Sequence, residues 1–393
     1  MKQLFTFLLV IIGLSANAQN MLSNGFGFMA AINGTTYTKT SNVGSQNFQF
    51  VSASKDGTRF YATNFNSNRI FILSSSSYAF LDSFTGPTAY YISSQNDQNM
   101  LFARGNKSLL RYNPMTKTFT DSLLIGSPWG ITERPGAQEV WETNDSLITV
   151  VNYASSLTSL GTIKTTNNQY DNSEVIFTPK GSIAYKSASS KKKVFKIDAN
   201  TRAILDSIDT APYSFQSMVV SPDSSKIYAC NNNKIYIINT STKAIVDSSM
   251  TSPYIIMRVY YHPTRDEIWA VHHFSDSVTA FNASTKAAIA SFGIGLSPFY
   301  LAFAIGSTNI NPTSANYTLN LYPNPAKNNV TISMPDGNQH GIQIYNTTGQ
   351  RMASYSTSMN KLNVDVSAWP SGNYYFSVIE HNEFKKTVVF TKE

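Results

Sequence analysis

Short runs of apolar, β-branched and aromatic residues alternate with polar turns along most of the chain. The stretch from Pro212 to Ser252 holds four such runs, rich in Val, Ile and Tyr, with Ser-Pro-Asp, Asn-Asn-Asn and Thr-Ser-Thr turns between them. A single sheet of four short strands has two faces to bury and no partner of its own. The pattern therefore predicts a four-stranded unit that recurs.

The recurrence is marked by a small residue followed by a proline at the start of each unit. Most units end on an Asp-Ser pair, which a Thr-Lys or Thr-Arg turn precedes. A period of about 40 residues with four strands per unit is the signature of a β-propeller blade. The prolines that open the units are Pro87, Pro128, Pro212, Pro253 and Pro298.

The two ends of the repeated region predict how it closes. Six units fit between Val51 and Gly295, one strand follows at 298–304, and strand-like segments precede them at 26–32 and 35–39. We expect both ends to build a seventh blade with 298–304 innermost, because this leaves no open sheet edge between the first and last blades. The fold class is thus all-β, a seven-bladed β-propeller; six blades with an irregular N-terminal cap is the alternative.

The 40-residue period stops at a polar segment, residues 307–318, which we interpret as a linker. Residues 319–393 then alternate apolar and polar positions in short strands with Pro-Asp-Gly and Thr-Gly turns, which predicts a small C-terminal β-sandwich. The predicted propeller occupies residues 19–306.

Residues 1–18 carry the features of a secretory signal peptide. Lys2 gives a positive start, an apolar run reaches Leu14, and Ala16 and Ala18 form an A-x-A cleavage site. The apolar run is too short to span a membrane. We expect an exported mature protein that is soluble or held at the cell surface.

Composition excludes several classes of function. The formal net charge is +7 with only 13% charged residues, and Lys191, Lys192 and Lys193 sit on a turn without an aromatic-interleaved basic face, so no nucleic-acid partner is expected. Cys230 is the only cysteine, which rules out an intramolecular disulfide. A domain of nearly 300 residues buries roughly 75% of its unfolded surface and needs none.

Catalytic and metal-binding patterns are missing. His262, His272 and His273 fall in the sixth unit, but consecutive strand residues point to opposite faces, and no Cys or carboxylate cluster stands beside them. Motifs for a nucleophile, a phosphate loop or an EF-hand are not found. We therefore predict no metal, no cofactor and no catalytic residues, and a binding protein rather than an enzyme.

One set of aromatic residues follows the opening prolines, where each unit enters its innermost strand. We expect these residues around one mouth of the central channel, where they would stack on a sugar or another flat ligand beside arginine partners. The alternative is that they wedge between blades as core. The candidates are Trp129, Tyr213, Tyr254, Phe299 and Tyr90, with Arg258 and Arg104 as polar partners.

Three motifs of the C-terminal region resemble the type A sorting domain of proteins exported by the Bacteroidetes type IX secretion system. They are Leu321–Ala326 (Leu-Tyr-Pro-Asn-Pro-Ala), Ile344–Gln350 and Val366–Tyr375. The resemblance implies that the type IX secretion machinery is a partner. It also implies passage through the periplasm to the outer-membrane surface, then release or anchoring to lipopolysaccharide as the only membrane link. The motif residues are Tyr322, Pro323, Asn324, Pro325, Gly349, Pro370 and Gly372.

The repeats resemble the YVTN-type, WD40-like propeller repeats of surface-layer and YncE-like proteins. Tyr61-Ala-Thr-Asn64, Trp141-Glu-Thr-Asn144 and Tyr228-Ala-Cys-Asn231 carry the resemblance. It implies a propeller fold, and fold alone does not confer an activity. The predicted function is a secreted or surface-anchored propeller that binds an unknown glycan or protein ligand; the rival is a lactonase-like hydrolase.

Overall fold

A computed structural model describes residues 20–25, 27–64, 66–85, 91–94, 100–105, 107–126, 130–144, 146–165, 174–295, 297–304, 319–334, 340–346, 351–380 and 383–393. The chain divides into two compact units on either side of the Gly306–Ser307 bond. Both are built from strands, and the described ranges contain no α-helix, so the all-β prediction is confirmed. No helix in these ranges is long and apolar enough to cross a membrane.

The N-terminal unit contains 28 strands within the described residues, connected mostly by tight turns. In chain order they are β1 (Asn20–Ser23), β2 (Met29–Asn33), β3 (Thr38–Val43), β4 (Phe50–Ala53), β5 (Arg59–Asn64), β6 (Arg69–Ser74), β7 (Phe80–Thr85), β8 (Tyr91–Ser93), β9 (Leu101–Arg104), β10 (Ser108–Asn113), β11 (Thr118–Leu124), β12 (Gly130–Glu133), β13 (Glu139–Asn144), β14 (Leu147–Asn152), β15 (Thr158–Lys164), β16 (Val175–Phe177), β17 (Ile183–Ala188), β18 (Lys193–Asp198), β19 (Ile204–Asp209), β20 (Ser217–Val220), β21 (Lys226–Asn231), β22 (Lys234–Asn239), β23 (Ile245–Thr251), β24 (Arg258–Tyr261), β25 (Glu267–His272), β26 (Ser277–Asn282), β27 (Ala288–Gly293) and β28 (Leu301–Ala304).

These strands form four-stranded antiparallel sheets, the arrangement typical of a propeller. Sheets 1 to 6 are β4–β7, β8–β11, β12–β15, β16–β19, β20–β23 and β24–β27, each paired in chain order. Sheet 7 has the order β28-β1-β2-β3, so a strand from the end of the unit pairs with one from its start. We call the first strand of each sheet in this order its inner strand.

Burial along the strands follows their position in the sheet. The second and third strands are buried on both faces, as in Tyr228–Cys230 of β21 and Ile235–Ile238 of β22, because a neighbouring sheet covers each face. The fourth strands are largely exposed; β15 buries only Ile163. A buried aromatic residue recurs at one register position of the second strand, at Tyr61, Phe102, Trp141, Tyr185, Tyr228 and Trp269.

Each sheet shares an apolar core with the sheet before it and the sheet after it along the chain. Sheets 5 and 6, for instance, bury Cys230 of β21 against Phe281 of β26. Sheet 7 packs on sheet 6 around Met21 and Trp269, and on sheet 1 around Leu22 and Phe60. Successive inner strands also lie in contact from β28 through β4 to β24.

The turn between the third and fourth strands reaches back to the preceding sheet. Its key residue is in the left-handed backbone region, as in Lys117, Lys243 and Lys286. These lysines form ion pairs with outer-strand aspartates one sheet earlier: Lys117–Asp82, Lys243–Asp206 and Lys286–Asp247. The Thr-Lys turns and the Asp-Ser endings that mark the repeat in the sequence are therefore contact partners.

In the remaining sheets, the turn between the third and fourth strands also contacts the preceding sheet, but through other atoms. Tyr37 of sheet 7 donates its hydroxyl to Glu267 Oε1 of sheet 6 over 2.6 Å, and Tyr78 of sheet 1 donates to Ile32 O of sheet 7 over 3.1 Å. Arg202 of sheet 4 donates to Leu160 O of sheet 3 over 3.3 Å. In sheet 3 the Leu157 amide donates to Asp121 Oδ2 of sheet 2 over 2.6 Å.

The C-terminal unit is a small sandwich of two antiparallel sheets. Its core contains Val330, Ile332, Ile344, Phe376 and Phe390, all fully buried. One sheet has the order β29-β30-β33 and the other the order β32-β31-β34-β35. The strands are β29 (Asn320–Tyr322), β30 (Asn329–Ser333), β31 (His340–Asn346), β32 (Arg351–Thr357), β33 (Lys361–Asp365), β34 (Gly372–Glu380) and β35 (Glu383–Lys392).

A buried carboxylate links sheets 3 and 4. Glu139 Oε2 accepts from Trp141 Nε1 over 2.9 Å and from Arg134 Nη1 over 3.1 Å, and Arg202 Nη2 of sheet 4 lies 3.4 Å from Oε1. Arg134 also donates to Gly181 O over 2.8 Å. Loss of one partner in such a buried network leaves the others without compensation.

We expect Glu139→Ala to lower the free energy of unfolding of the N-terminal unit by roughly 3 kcal/mol, because two guanidinium groups and an indole N–H lose their acceptor. The matched control is Asp206→Ala, which removes an exposed ion pair with Lys243 and should lower the free energy of unfolding much less. Chemical denaturation followed by tryptophan fluorescence measures both. Equal losses in the two variants would contradict the role of the buried network.

Candidate functional site

The inner strands enclose a cavity of about 490 Å³, lined by residues of β4, β8, β12, β16, β20, β24 and β28. Along the inner strands, partly exposed residues alternate with buried ones. Examples of the partly exposed ones are Tyr91 and Ser93 of β8, Arg258 and Tyr260 of β24, and Ser52 of β4. Alternate residues of a strand point to the same side, so each short inner strand offers two side chains to the cavity. The lining therefore has two levels.

The upper level lies where the inner strands begin, and it contains an ion pair between sheets that are not adjacent. Arg258 Nη1 of sheet 6 donates to Glu174 Oε1, just before β16 of sheet 4, over 2.6 Å. Arg258 Nη2 donates to the Tyr300 hydroxyl of sheet 7 over 2.7 Å, and the guanidinium carbon lies 4.1 Å from that ring centroid. Burial would lower the pKa of Arg258, but the Glu174 carboxylate and the nearby Tyr300, Tyr260 and Tyr91 hydroxyls together outweigh it, and the pKa lies well above its ordinary value.

Tyr91 and Tyr300 also line the upper level, and Phe50 packs against both of them. Phe50 lies 4.5 Å from Tyr300 and 5.1 Å from Tyr91, measured between ring centroids, and Tyr91 and Tyr300 are 5.6 Å apart in an edge-to-face arrangement. Burial raises the pKa of Tyr91 well above its ordinary value, so its hydroxyl stays protonated. The rings meet at interplanar angles of 47–89° and form an uneven apolar wall beside the ion pair.

Small residues leave room for the ion pair. A Cβ on Gly130 would lie 2.6 Å from Glu174 Cγ, so this position of sheet 3 must be glycine for the Glu174 side chain to occupy its place. Ser217 of sheet 5 lies between the two charged residues along the chain, and its hydroxyl accepts from the Val259 amide over 3.3 Å. The upper level can therefore hold the ion pair because sheets 3 and 5 carry small residues, Gly130 and Ser217, at this position.

The lower level is divided into a hydroxyl side and an apolar side. Ser52, Ser93 and Thr132 come from sheets 1, 2 and 3, and residues of sheets 4 to 7 provide Ile176, Val219, Tyr260 and Phe303. The Ser93 hydroxyl donates to Glu133 Oε1 over 2.5 Å, and the Thr132 hydroxyl donates to Val175 O over 2.8 Å. The cavity therefore offers both hydrogen-bonding and apolar surfaces.

The rim residues predicted from the sequence lie outside this lining. Tyr213 packs on Tyr236 with centroids 4.3 Å apart, Tyr254 is 45% exposed with its ring 5.8 Å from His272, and Phe299 lies 3.9 Å from the His273 ring. Arg258 is the candidate that the structure places in the cavity. The structure does not bring the three aromatic residues together around it, and their role in binding stays a prediction.

Several other candidates predicted from the sequence lie outside the described residues: Trp129, Tyr90, Gly349, the cleavage-site residues Ala16 and Ala18, and the linker 307–318. Arg104 ends β9, but its side chain is not among those described. Sequence reasoning missed Glu174, Tyr300 and Phe50. Their position within the repeat could have identified them, since each stands at or just before the start of a predicted inner strand, as Arg258 does.

Among the described residues, the contacts of His272 and Cys230 support the fold and do not form a binding site. His272 Nδ1 lies 3.2 Å from Ile255 O, and its Nε2 lies 2.9 Å from Thr279 Oγ1. Asn231 makes the corresponding contact one sheet earlier, donating to Ser214 O over 2.6 Å. Burial raises the pKa of Cys230 to about 12, so its thiol is protonated. In the described part of the chain, no three His, Cys, Asp or Glu side chains lie close enough to hold a metal ion.

His262 is fully buried and held as a neutral ring. Its Nδ1 accepts from the Thr264 and Arg265 amides over 3.3 and 3.1 Å, and Nε2 has no hydrogen-bond partner among the described residues. Burial, reinforced by Arg265 and opposed by Glu267, lowers its pKa to about 4. Protonation would therefore oppose folding.

We expect the protein to lose stability as the pH falls from about 6.5 to 4, since the unfolded chain binds a proton at residue 262 that the folded one does not. The loss attributable to His262 should approach about 3 kcal/mol at the low end. His262→Asn keeps an acceptor for the two amides and cannot titrate, so its melting temperature should depend less on pH over this range. An unchanged pH dependence in that variant would refute the assignment.

The Tyr322–Pro325 motif covers the free edge of the C-terminal strand β35. Asn324 Oδ1 accepts from the Thr391 amide over 2.9 Å, and Asn324 Nδ2 donates to Val389 O over 2.9 Å. Ala326 continues the contact as a parallel bridge to Lys392. The third motif is held by the Tyr374 hydroxyl, which donates to Pro370 O over 2.7 Å, while Gly372 has a φ of 151° where β34 begins. An edge that would otherwise accept another strand is thereby closed.

We expect Asn324→Ala to speed amide exchange at Thr391 and neighbouring residues of β35, because two hydrogen bonds that hold this edge are lost. The stability loss of the C-terminal unit should be about 1–2 kcal/mol. Hydrogen-exchange mass spectrometry of the full chain measures it, with Asn320→Ala, an exposed asparagine of β29, as the matched control. Similar exchange of β35 in both variants would show that Asn324 does not hold the edge.

Comparisons with known proteins agree with this division of the chain. Residues 320–391 match the family described as "Secretion system C-terminal sorting domain". No curated protein matches the chain. Among solved structures, hydrazine synthase of Kuenenia stuttgartiensis is similar in fold, with a TM-score of 0.55 and 13% identity over 64% of this chain and 87% of that one.

The likeness to the solved structure supports a propeller-like all-β fold and says nothing about activity. The family match concerns the C-terminal unit and agrees with its motifs and its sandwich fold. Such a domain directs secretion to the medium or the cell surface and implies contact with the type IX machinery. The C-terminal unit of this chain is a secretion system C-terminal sorting domain, the export signal of a type IX secretion substrate.

Proposed function

We propose that the N-terminal unit is a closed seven-bladed propeller that binds a ligand in its cavity after export. The observation that carries the proposal is the cavity itself, to which the inner strand of every sheet in this unit contributes residues. Its volume of about 490 Å³ lies within the range of small-molecule sites, which is about 300–1,000 Å³. Its lining combines aromatic rings, an ion pair and hydroxyl groups.

Three features support closure of the ring. Strand β28 pairs with β1, sheets 6 and 7 share a core around Trp269 and Met21, and sheets 7 and 1 share one around Leu22 and Phe60. The backward contacts of the turns also continue across both junctions, through Tyr37 and Tyr78. We propose in addition that the sheets are degenerate YVTN-type repeats, on the equivalent places of Tyr61, Trp141 and Tyr228.

The cavity favours binding over hydrolysis. Its charged groups are already engaged, Arg258 with Glu174 and Glu133 with Ser93, and both hydrogen bonds fix these side chains in place. A preorganised wall of this kind suits recognition of a ligand. The rim aromatics Tyr213, Tyr254 and Phe299 keep their predicted role as outer contacts for a larger glycan or protein partner.

Export determines the location at which the cavity binds its ligand. The sorting domain directs the chain to the medium or the cell surface. We propose that residues 1–18 are removed during passage through the periplasm, that 307–318 is a linker, and that the propeller is then released or anchored to lipopolysaccharide. The protein would therefore meet ligands that lie outside the cell.

The test is a thermal-shift screen of the purified full chain against sugars, uronic acids, amino acids, nucleosides and lactones, with each hit followed by calorimetric titration. We expect Tyr91→Leu to weaken the best hit about tenfold, because an aromatic ring of the cavity lining is lost. Tyr254→Leu tests the predicted rim instead, and it should change the affinity of a small ligand little.

Two outcomes would contradict the proposal. Loss of affinity in the Tyr254 variant with none in the Tyr91 variant would place the site on the rim. Turnover of a lactone without stable binding would favour the hydrolase instead.

A further inference from the structure

We infer that the ligand of the cavity is a neutral sugar, recognised by stacking on the aromatic wall and by hydrogen bonds to the hydroxyl side. This inference rests on the proposed function and adds the chemical class of the ligand. Three properties of the lining lead to it: its charge balance, its hydrogen-bonding capacity and its division into polar and apolar sides.

The charge balance disfavours a charged ligand. The guanidinium of Arg258 lies 2.6 Å from the Glu174 carboxylate and donates a second hydrogen bond to Tyr300, so an anion would have to displace a carboxylate already in place. Glu133 adds another carboxylate to the lining, which repels anions further. Glu174 and Glu133 would attract a cation, but it would have to compete for them with Arg258 and with the Ser93 hydroxyl, which already hold these carboxylates. A neutral ligand meets neither penalty.

The hydroxyl side suits a ligand with many hydroxyl groups. Ser93 and Thr132 donate their own protons to Glu133 and to Val175 O, at 2.5 and 2.8 Å. A hydroxyl that donates in this way keeps lone pairs that accept. The side chains therefore present acceptors in a row across adjacent sheets, and the hydroxyl groups of a sugar are donors of matching size.

The apolar residues of the lining suit the C–H faces of the same sugar. A pyranose ring carries C–H groups on its faces and hydroxyl groups around its edge. Tyr91 and Tyr300 provide aromatic surface at the upper level, and Ile176, Val219 and Phe303 lie opposite the hydroxyl side at the lower level. A sugar that enters with its edge toward Ser93 and Thr132 would place its C–H faces on apolar groups. A flat aromatic ligand would leave the hydroxyl side without partners.

The experiment compares sugars that share a ring and differ only in charge. The purified full chain is titrated calorimetrically with glucose, glucuronate and glucosamine, and with galactose, galacturonate and galactosamine. We expect one neutral sugar to bind, and its two charged analogues to bind about tenfold more weakly or not at all, since each must disturb the Arg258–Glu174 pair.

Two variants locate the bound sugar. Ser93→Ala removes one hydroxyl, and Thr132→Val removes another while keeping the shape of the side chain. Each should weaken the neutral sugar about fivefold or more by removing an acceptor. Ser241→Ala, at an exposed turn between β22 and β23, is the matched control and should bind as the wild type does. Melting temperatures check that all three variants fold.

The outcomes separate this inference from the function on which it rests. Tighter binding of a charged analogue, or unchanged affinity in both hydroxyl variants, would overturn the sugar assignment. Failure of all six sugars, together with a non-sugar hit whose affinity depends on Tyr91, would overturn it and leave the binding function intact. Failure of every compound tested would count against both.

Discussion

Burial of both faces of each four-stranded sheet is the constraint on which the rest of the N-terminal unit depends. The second and third strands carry apolar residues on both sides, as in Ile235–Ile238, and such a strand is stable only between two other sheets. Every sheet accordingly shares one core with its predecessor and another with its successor. The packing of neighbours, more than any single sheet, gives the unit its stability.

The turns between the third and fourth strands contact the preceding sheet and so add a second set of interactions to this packing. A residue in the left-handed region projects from each of several turns to the sheet before it, and the chemistry of the contact changes while the direction does not. Lys117, Lys243 and Lys286 reach aspartates, while Tyr37 and Arg202 reach other acceptors. Exposed ion pairs contribute little energy each. Their value here is that they fix how each sheet is placed against the next.

The candidate site arises where the repeat is broken. Corresponding positions of the inner strands carry Phe50, Tyr91, Gly130, Ser217 and Arg258, so the upper level of the cavity has no two equal neighbours. One core position of the second strands varies far less in character, since six sheets carry a large aromatic residue there and sheet 7 carries Met21. Uniform packing and variable lining can coexist because alternate residues of a strand point to different sides.

Much of the architecture could be predicted from local pattern. The period of about 40 residues indicated recurring four-stranded units, and the alternation of apolar and polar positions in residues 319–393 indicated the strands of the C-terminal sandwich. The motif around Asn324 identified the sorting domain, which the family match confirms. These features are encoded within a few residues of one another.

Contacts between repeats could not be predicted in this way. Arg258 was recognised as a candidate, but its partner Glu174 lies 84 residues away and two sheets distant, and only the assembled unit brings the two charges to 2.6 Å. Tyr300 and Phe50 join them from opposite ends of the unit. The sequence by itself determined the strands, the period and the export signal, because turn chemistry and alternation act locally. The tertiary structure alone decided which side chains meet in the cavity, because that depends on how separate sheets pack.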